Sequence, residues 1–231
     1  MDFSYAIDLL NKGGYLVWPI LFCSIGGMTI FFERLTLYRK VLKNHLGNDL
    51  ICLLLSSGDF TGAKHKLSSS LSKYSIDKRI MLDALNINTS DNHTLEMILT
   101  HDVAREIELL SRTLNTLAVF ASVAPLLGLL GTVIGMIKAF SVVESMGGSV
   151  NAAVLAGGIW EAMLTTAFGL MAAIPLLFFH NHLEGKLQLI QSELEDVAIT
   201  FMKAWSEGKL KSHKINLKNN VDDSADKASK K

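Results

Sequence analysis

The sequence predicts an all-α membrane protein with three transmembrane helices, the second and third extended as long helices into a cytoplasmic helical bundle. Three observations carry that expectation. Apolar residues make up 49% of the 231, and they gather in runs of bilayer length, about 20 residues being enough to cross the hydrocarbon. Apolar stripes at three- and four-residue spacing continue beyond two of those runs. Lysine and arginine are distributed unequally between the segments that flank the runs.

Residues 15–32 are uncharged and stand between Lys12 and the pair Glu33-Arg34. A signal peptide has a basic start and a small-residue cleavage site, whereas this N-terminus carries Asp2 and Asp8 and its run ends in Phe-Phe-Glu-Arg. The first transmembrane helix is therefore retained and assigned to 15–33, after a short N-terminal segment, 1–14. Residues 34–112 read as a helical domain of short soluble helices, broken by Gly47, Ser56-Ser57-Gly58, Ser68-Ser69-Ser70 and the polar stretch 86–92. Asp59 and Asp91 are placed to cap helices there. Its histidines, His45, His65, His93 and His101, are scattered, which fits a solvated surface better than a metal site.

The second span, 113–138, lies uncharged between Arg112 and Lys138. Leu95, Leu99, Val103, Ile107, Leu110, Leu114 and Leu117 form one stripe leading into it, so the helix should start well before the membrane. From Leu95 to Lys138 such a helix would measure about 65 Å. A connection, 139–158, contains Ser141, Glu144 and Gly147-Gly148, and the third span follows at 159–180, interrupted only by Glu161. Leu183, Leu187, Ile190, Leu194, Val197, Phe201 and Ala204 carry the helical stripe on through 181–207. Residues 208–231 are rich in Lys, Asn, Asp and Ser, and are expected to be a disordered tail.

Orientation follows from charge. Half of the 22 basic residues fall between Arg34 and Arg112, while the connection 139–158 has none. The positive-inside rule places the long loop and the C-terminus in the cytoplasm, and the N-terminus and connection in the periplasm. Cys23 then lies in lipid and Cys52 in reducing cytoplasm, so no disulfide is expected.

Acids and bases are equal at 22 each, which removes any bulk attraction to nucleic acid. The sequence contains no nucleotide-binding loop, catalytic triad or metal-ligand spacing. It reads as a non-enzyme without a cofactor, which leaves the membrane potential as the energy source.

Ala124, Gly128, Thr132 and Gly135 form a small-residue stripe in the second span, with Gly131 and Gly135 making a GxxxG. Gly158, Ala162, Thr166 and Gly169 or Ala173 do the same in the third, with Glu161, Thr165 and Gly169 on the adjoining line. Small residues let helix backbones approach closely in lipid. Thr132 lies about 9 Å inside Lys138 and Thr166 about 7.5 Å inside Glu161, one layer of the periplasmic half. They either line one polar spot or bond carbonyls of their own helices. Glu161 is the carboxylate nearest the bilayer in these two spans, and is either a gating or proton-entry group or an interfacial anchor paired with Lys138. Neither span holds a titratable group in its interior, so a proton-binding acid would have to come from another subunit.

The stretch Ala124-Pro-Leu-Leu-Gly-Leu-Leu-Gly-Thr-Val-Ile-Gly-Met-Ile-Lys-Ala-Phe140, followed by Gly158-Ile-Trp-Glu-Ala-Met-Leu-Thr-Thr-Ala-Phe-Gly-Leu-Met-Ala-Ala-Ile-Pro175, resembles the MotA/TolQ/ExbB proton-channel motif. The segment from Gly13-Gly14 to Glu33-Arg34-Leu35 is similar to the first helix of the ExbB type. The resemblance implies a homo-pentamer, with protons as coupling ion and the second and third spans lining a pore. That pore would hold the transmembrane helices of two ExbD-like single-span subunits, whose aspartate carries the proton. It also implies a TonB-like partner, inner-membrane localisation, and pore-facing Thr132, Glu161 and Thr166. Lys138 departs from the usual Asn or His of the motif and Thr165 from a common Ala, which admits a private salt bridge or an extra pore hydroxyl.

Three spans and the absence of a long charged rotor-binding domain favour the ExbB type over MotA. The opening Gly-Gly-Tyr-Leu-Val-Trp-Pro separates it more weakly from a TolQ-like subunit of envelope maintenance. A structural membrane scaffold without ion flux is the alternative from another class. A secondary transporter fits poorly, since three spans with no inverted repeat offer no midplane substrate site.

Overall fold

The computed structural model describes residues 13–44, 49–72, 74–87, 91–145 and 152–229. These residues form α1 (Val17–Asn44), α2 (Asp49–Ser57), α3 (Phe60–Ser69), α4 (Ile76–Asn86), α5 (Asn92–Ser145) and α6 (Ala152–Ser229). Among the described residues there is no strand. Three helices, α1, α5 and α6, are long and apolar enough to cross a membrane. The expected fold class holds in those terms.

Local chemistry sets the ends. The backbone N–H of Val17 donates to the carbonyl of Gly14 at 3.3 Å, and Gly14 has φ +73°, so a glycine turn leads into α1. Gly58, at φ +90°, follows α2 where the sequence predicts a break. Asp59 caps α3 by accepting the Gly62 N–H at 2.9 Å, and Asp91 accepts the N–H groups of His93 and Thr94 at 3.2 and 3.1 Å at the start of α5. Both caps answer the expectation. The expected break at Gly47 lies outside the described residues.

Two boundaries differ from the sequence reading. The connection 139–158 is helical on both flanks, because α5 runs to Ser145 and α6 starts at Ala152; residues 146–151 lie outside the described residues. The tail expected to lack structure is helical, since α6 continues to Ser229. Low apolar content removes a reason to pack, but it does not end a helix. Once packed turns have nucleated one, each further residue adds a hydrogen bond at little extra cost. No proline follows Gly208, and lysine and alanine propagate helix well.

The chain divides into two compact units. The described residues of Met1–Leu35 and Ser111–Gly185 form an apolar unit, and those of Thr36–Leu110 and Lys186–Lys231 an amphipathic one. Ile20, Ala124, Ala172 and Ala173 make the centre of the apolar unit, with Leu127 against them. Gly26 receives the Phe120 ring and Gly27 the side chains of Leu176 and Leu117, which seats α1 on both longer helices. Phe31 stacks on Phe179 with centroids 4.0 Å apart. Trp18, Phe22, Leu126, Trp160, Met171 and Phe178 stay exposed, as lipid-facing or partner-facing residues would.

In the amphipathic unit the predicted stripes become the core. Leu95, Leu99, Val103, Leu110, Leu187, Ile190, Leu194 and Phe201 are all buried. Tyr38 donates its hydroxyl to the Leu110 carbonyl at 3.1 Å, and the rings of Phe60 and Trp205 lie 4.7 Å apart. Gly208 is required by a close approach, since a β-carbon there would stand 2.0 Å from the Leu55 carbonyl oxygen. An Arg79–Glu106 ion pair at 2.7 Å ties α4 to α5.

Candidate ion-path face and small-residue seam

The apolar unit brings α5 and α6 together along the small residues read from the sequence. A β-carbon on Gly128 would lie 3.1 Å from the Thr166 Cα, and one on Gly169 would lie 2.8 Å from the Ala124 carbonyl oxygen. One on Gly135 would meet the Ala162 Cβ at 2.8 Å, and one on Gly158 the Ala139 Cβ at 2.6 Å. Ala124, Ala162 and Ala173 are buried. These distances leave no room for a larger side chain, and backbone contact of this kind replaces the hydrophobic force that lipid does not supply. Ala139 belongs to the seam and continues the Gly131, Gly135 spacing by four residues, a step the sequence reading stopped short of.

Thr132 does not follow the seam. It is half-buried, and its hydroxyl donates to the Leu129 carbonyl of its own helix at 2.7 Å. At 100° per residue it stands about 40° from Gly128, whereas Gly135 stands about 20° to the other side. That rotation carries Thr132 onto an open concavity of 730 Å³ along α5, together with Met136, Phe140, Ser141 and Glu144.

The two matched-depth threonines therefore serve different carbonyls. Thr166 is half-buried, and its hydroxyl crosses the seam to donate to the Gly128 carbonyl at 3.0 Å. Thr165 is buried, and its hydroxyl lies 2.8 Å from the Glu161 carbonyl and 3.0 Å from the Gly13 carbonyl. Glu161 is partly exposed, and its Oε1 accepts from Lys138 Nζ at 3.1 Å, the pairing that the sequence allowed.

Gly13 and Gly14 stand against Thr165 and Glu161, a proximity that reasoning about the spans alone does not reach. The signal was available: a Gly-Gly pair just before the first apolar run marks a turn able to approach another backbone closely. Among the described residues no group of three or more His, Cys, Asp or Glu side chains is placed to hold a metal ion.

The fold and seam define a multi-pass helical membrane protein with an apolar hairpin closed on glycine, alanine and threonine. Residues 72–196 match the MotA/TolQ/ExbB proton channel family, and the chain belongs to it. It is 30% identical to an ExbB-like biopolymer transport protein of Synechocystis over 197 residues, which is 82% of this chain and 91% of that one. A biopolymer transport protein of the ExbB type from Vibrio cholerae is 29% identical over 207 residues, 87% of this chain and 88% of the relative. The Tol-Pal system protein TolQ of Haemophilus influenzae is 41% identical over 91 residues, 38% and 39% of the two chains. Family and apolar helices together make this a multi-pass inner-membrane protein.

Proposed function

We propose that this chain is the pore-forming scaffold of an energy-transducing complex driven by proton motive force, assembled as a homo-pentamer around an ExbD-like single-span subunit. The work would pass through a TonB-like protein to outer-membrane transport. The observation that carries the reading is a division of labour within the spans. The seam consumes the small residues of α5 and α6, while α5 keeps a hydroxyl, that of half-buried Thr132, on an open face. No acid lies between Arg112 and Lys138 or between Glu161 and His180, so the titrating carboxylate must arrive on a partner. Thr132 would hydrate that partner's acid from α5. Thr166 would do so from the seam, since a hydroxyl that donates to Gly128 still offers its lone pairs.

Assembly of several copies is supported by the large apolar side chains left exposed in the spans. It is supported also by a groove of 740 Å³ within the amphipathic unit, floored by Leu99, Val103 and Ile199 and rimmed by Glu96, Glu108 and Glu195, which a second copy would fill. The TolQ-type relative favours one variant of the same reading, with a Tol-Pal-type partner set in place of a TonB-like one.

Reconstitution tests the proposal. In liposomes the chain alone should give little voltage-driven proton flux, and co-reconstitution with its single-span partner should raise it at least tenfold. Thr166→Val should assemble normally, because a membrane side-chain hydrogen bond is worth only about 0.6 kcal/mol on average, yet should abolish the partner-dependent flux. Robust flux from the lone chain would move the proton carrier into this subunit and defeat the reading.

A further inference from the structure

We infer that Lys138, Glu161 and Thr165 form a latch that fixes the Gly13-Gly14 turn, and with it the start of α1, onto the α5–α6 hairpin. Three independent contacts converge there. The Thr165 hydroxyl reaches the Gly13 carbonyl at 3.0 Å as well as the Glu161 carbonyl of its own helix at 2.8 Å, so its one proton is shared between a local and a distant acceptor. A β-carbon on Gly131 would lie 2.3 Å from the Thr165 Cγ2, which seats that methyl on α5 and fixes the rotamer that aims the hydroxyl at α1. Thr165 is thus the point where three helices meet. Ordinary back-bonding to Glu161 alone would leave it no reason to be 2% exposed beneath a turn outside its own helix.

The ion pair closes the other side. Glu161 Oε1, the oxygen that accepts from Lys138, is also the atom that a β-carbon on Gly14 would meet at 2.6 Å. Gly14 is at φ +73°, where residues with a β-carbon are strained. Any other residue at 14 would both strain the turn and push the carboxylate off its lysine. The Gly14 carbonyl meanwhile takes the Val17 N–H, the bond that leads into α1. Lys138, on α5, therefore reaches α1 through Glu161, on α6. In this assignment Glu161 acts as a positioning residue held at the membrane boundary. The inference goes beyond the proposed function, because the latch would hold α1 whether or not the complex conducts.

Amide hydrogen exchange on the full-length protein in nanodiscs, read separately for residues 15–20 and for 113–120, tests the latch. Thr165→Val keeps the shape and removes the donor, and should speed exchange at 15–20 about threefold, the equivalent of about 0.6 kcal/mol. Lys138→Met should do so by about two- to fivefold, as expected for a partly exposed ion pair. Gly14→Ala should exceed both, and residues 113–120 should be unchanged in all three. The charge swap Lys138→Glu with Glu161→Lys should restore slow exchange where each single reversal loses it. Unchanged exchange at 15–20, an equal rise in both segments, or a swap that fails to restore protection would overturn the latch.

Discussion

In the apolar unit the seam residues of α5 and α6 are Gly128, Gly131, Gly135, Ala162 and Gly169, whereas in the amphipathic unit the buried residues of the same two helices are Leu95, Leu99, Ile190, Leu194 and Phe201. The solvent accounts for the difference. Where water surrounds a helix, each large apolar side chain withdrawn from it contributes about 1.5–3 kcal/mol, so wide leucine stripes are the effective adhesive. Where lipid surrounds it, a buried leucine gains little over an exposed one, and close backbone contact between small residues takes over. Leu117 and Leu176 show that the rule grades within the apolar unit, since they are fully buried against Gly27.

The largest test of this contrast lies in the amphipathic unit. Phe201 is fully buried and stacks on Trp205 with centroids 6.3 Å apart, so Phe201→Ala should cost about 3–5 kcal/mol. Chemical denaturation in detergent, followed by Trp205 fluorescence in a variant with Trp18 and Trp160 replaced by Phe, reads that loss. A cost below about 1 kcal/mol would mean that this unit, too, is not held by large side chains.

A smaller and opposite-signed pair probes the glycines. At Gly169 an added methyl meets backbone at 2.8 Å, so Gly169→Ala should push the helices apart and destabilise by about 1–3 kcal/mol. At Gly185 nothing lies within 4 Å, so Gly185→Ala should stabilise by about 0.5–1 kcal/mol through helix propensity alone. Thermal unfolding of both variants in the same detergent separates them. Two changes of the same sign would show that propensity, not close approach, decides where glycine stands.

The smallest effect is electrostatic and belongs to the amphipathic unit. The Gly62 N–H, and after it the Thr61 hydroxyl, hold the Asp59 carboxyl below its ordinary value. A lowered folded-state value favours the charged native cap. Its contribution is complete above the ordinary carboxylate range near pH ~3.9 and is lost as pH falls through the lowered value. Asp59→Asn keeps a capping oxygen but cannot titrate, so exchange at the Gly62 amide in this variant should lose its extra rise on acidification. An identical acid response in parent and variant would remove Asp59 from the pH dependence.

Much of this was legible in the sequence because the signals are local and periodic. The stripes from Leu95 and from Leu183 needed only helical spacing to be read as core, and Asp59 and Asp91 only their position before a helix. The glycines of the two spans lie where α5 and α6 approach closely, whereas Thr132 is rotated out of that line by a four-residue step. The helical run to Ser229 was missed because polar composition speaks against a core but not against propagation of a helix already begun.

By itself, then, the sequence determined the class of fold, the bilayer-length spans and the family, since each rests on runs, periods and a contiguous motif. Only the tertiary structure decided that the Thr166 hydroxyl crosses to Gly128 while that of Thr132 stays on its own helix. It alone decided that Gly13 and Gly14, 152 and 147 residues away in the chain, seat Thr165 and Glu161. The reason is physical: which of two nearby carbonyls a hydroxyl serves depends on the rotation and approach of a second helix, and no local pattern encodes either.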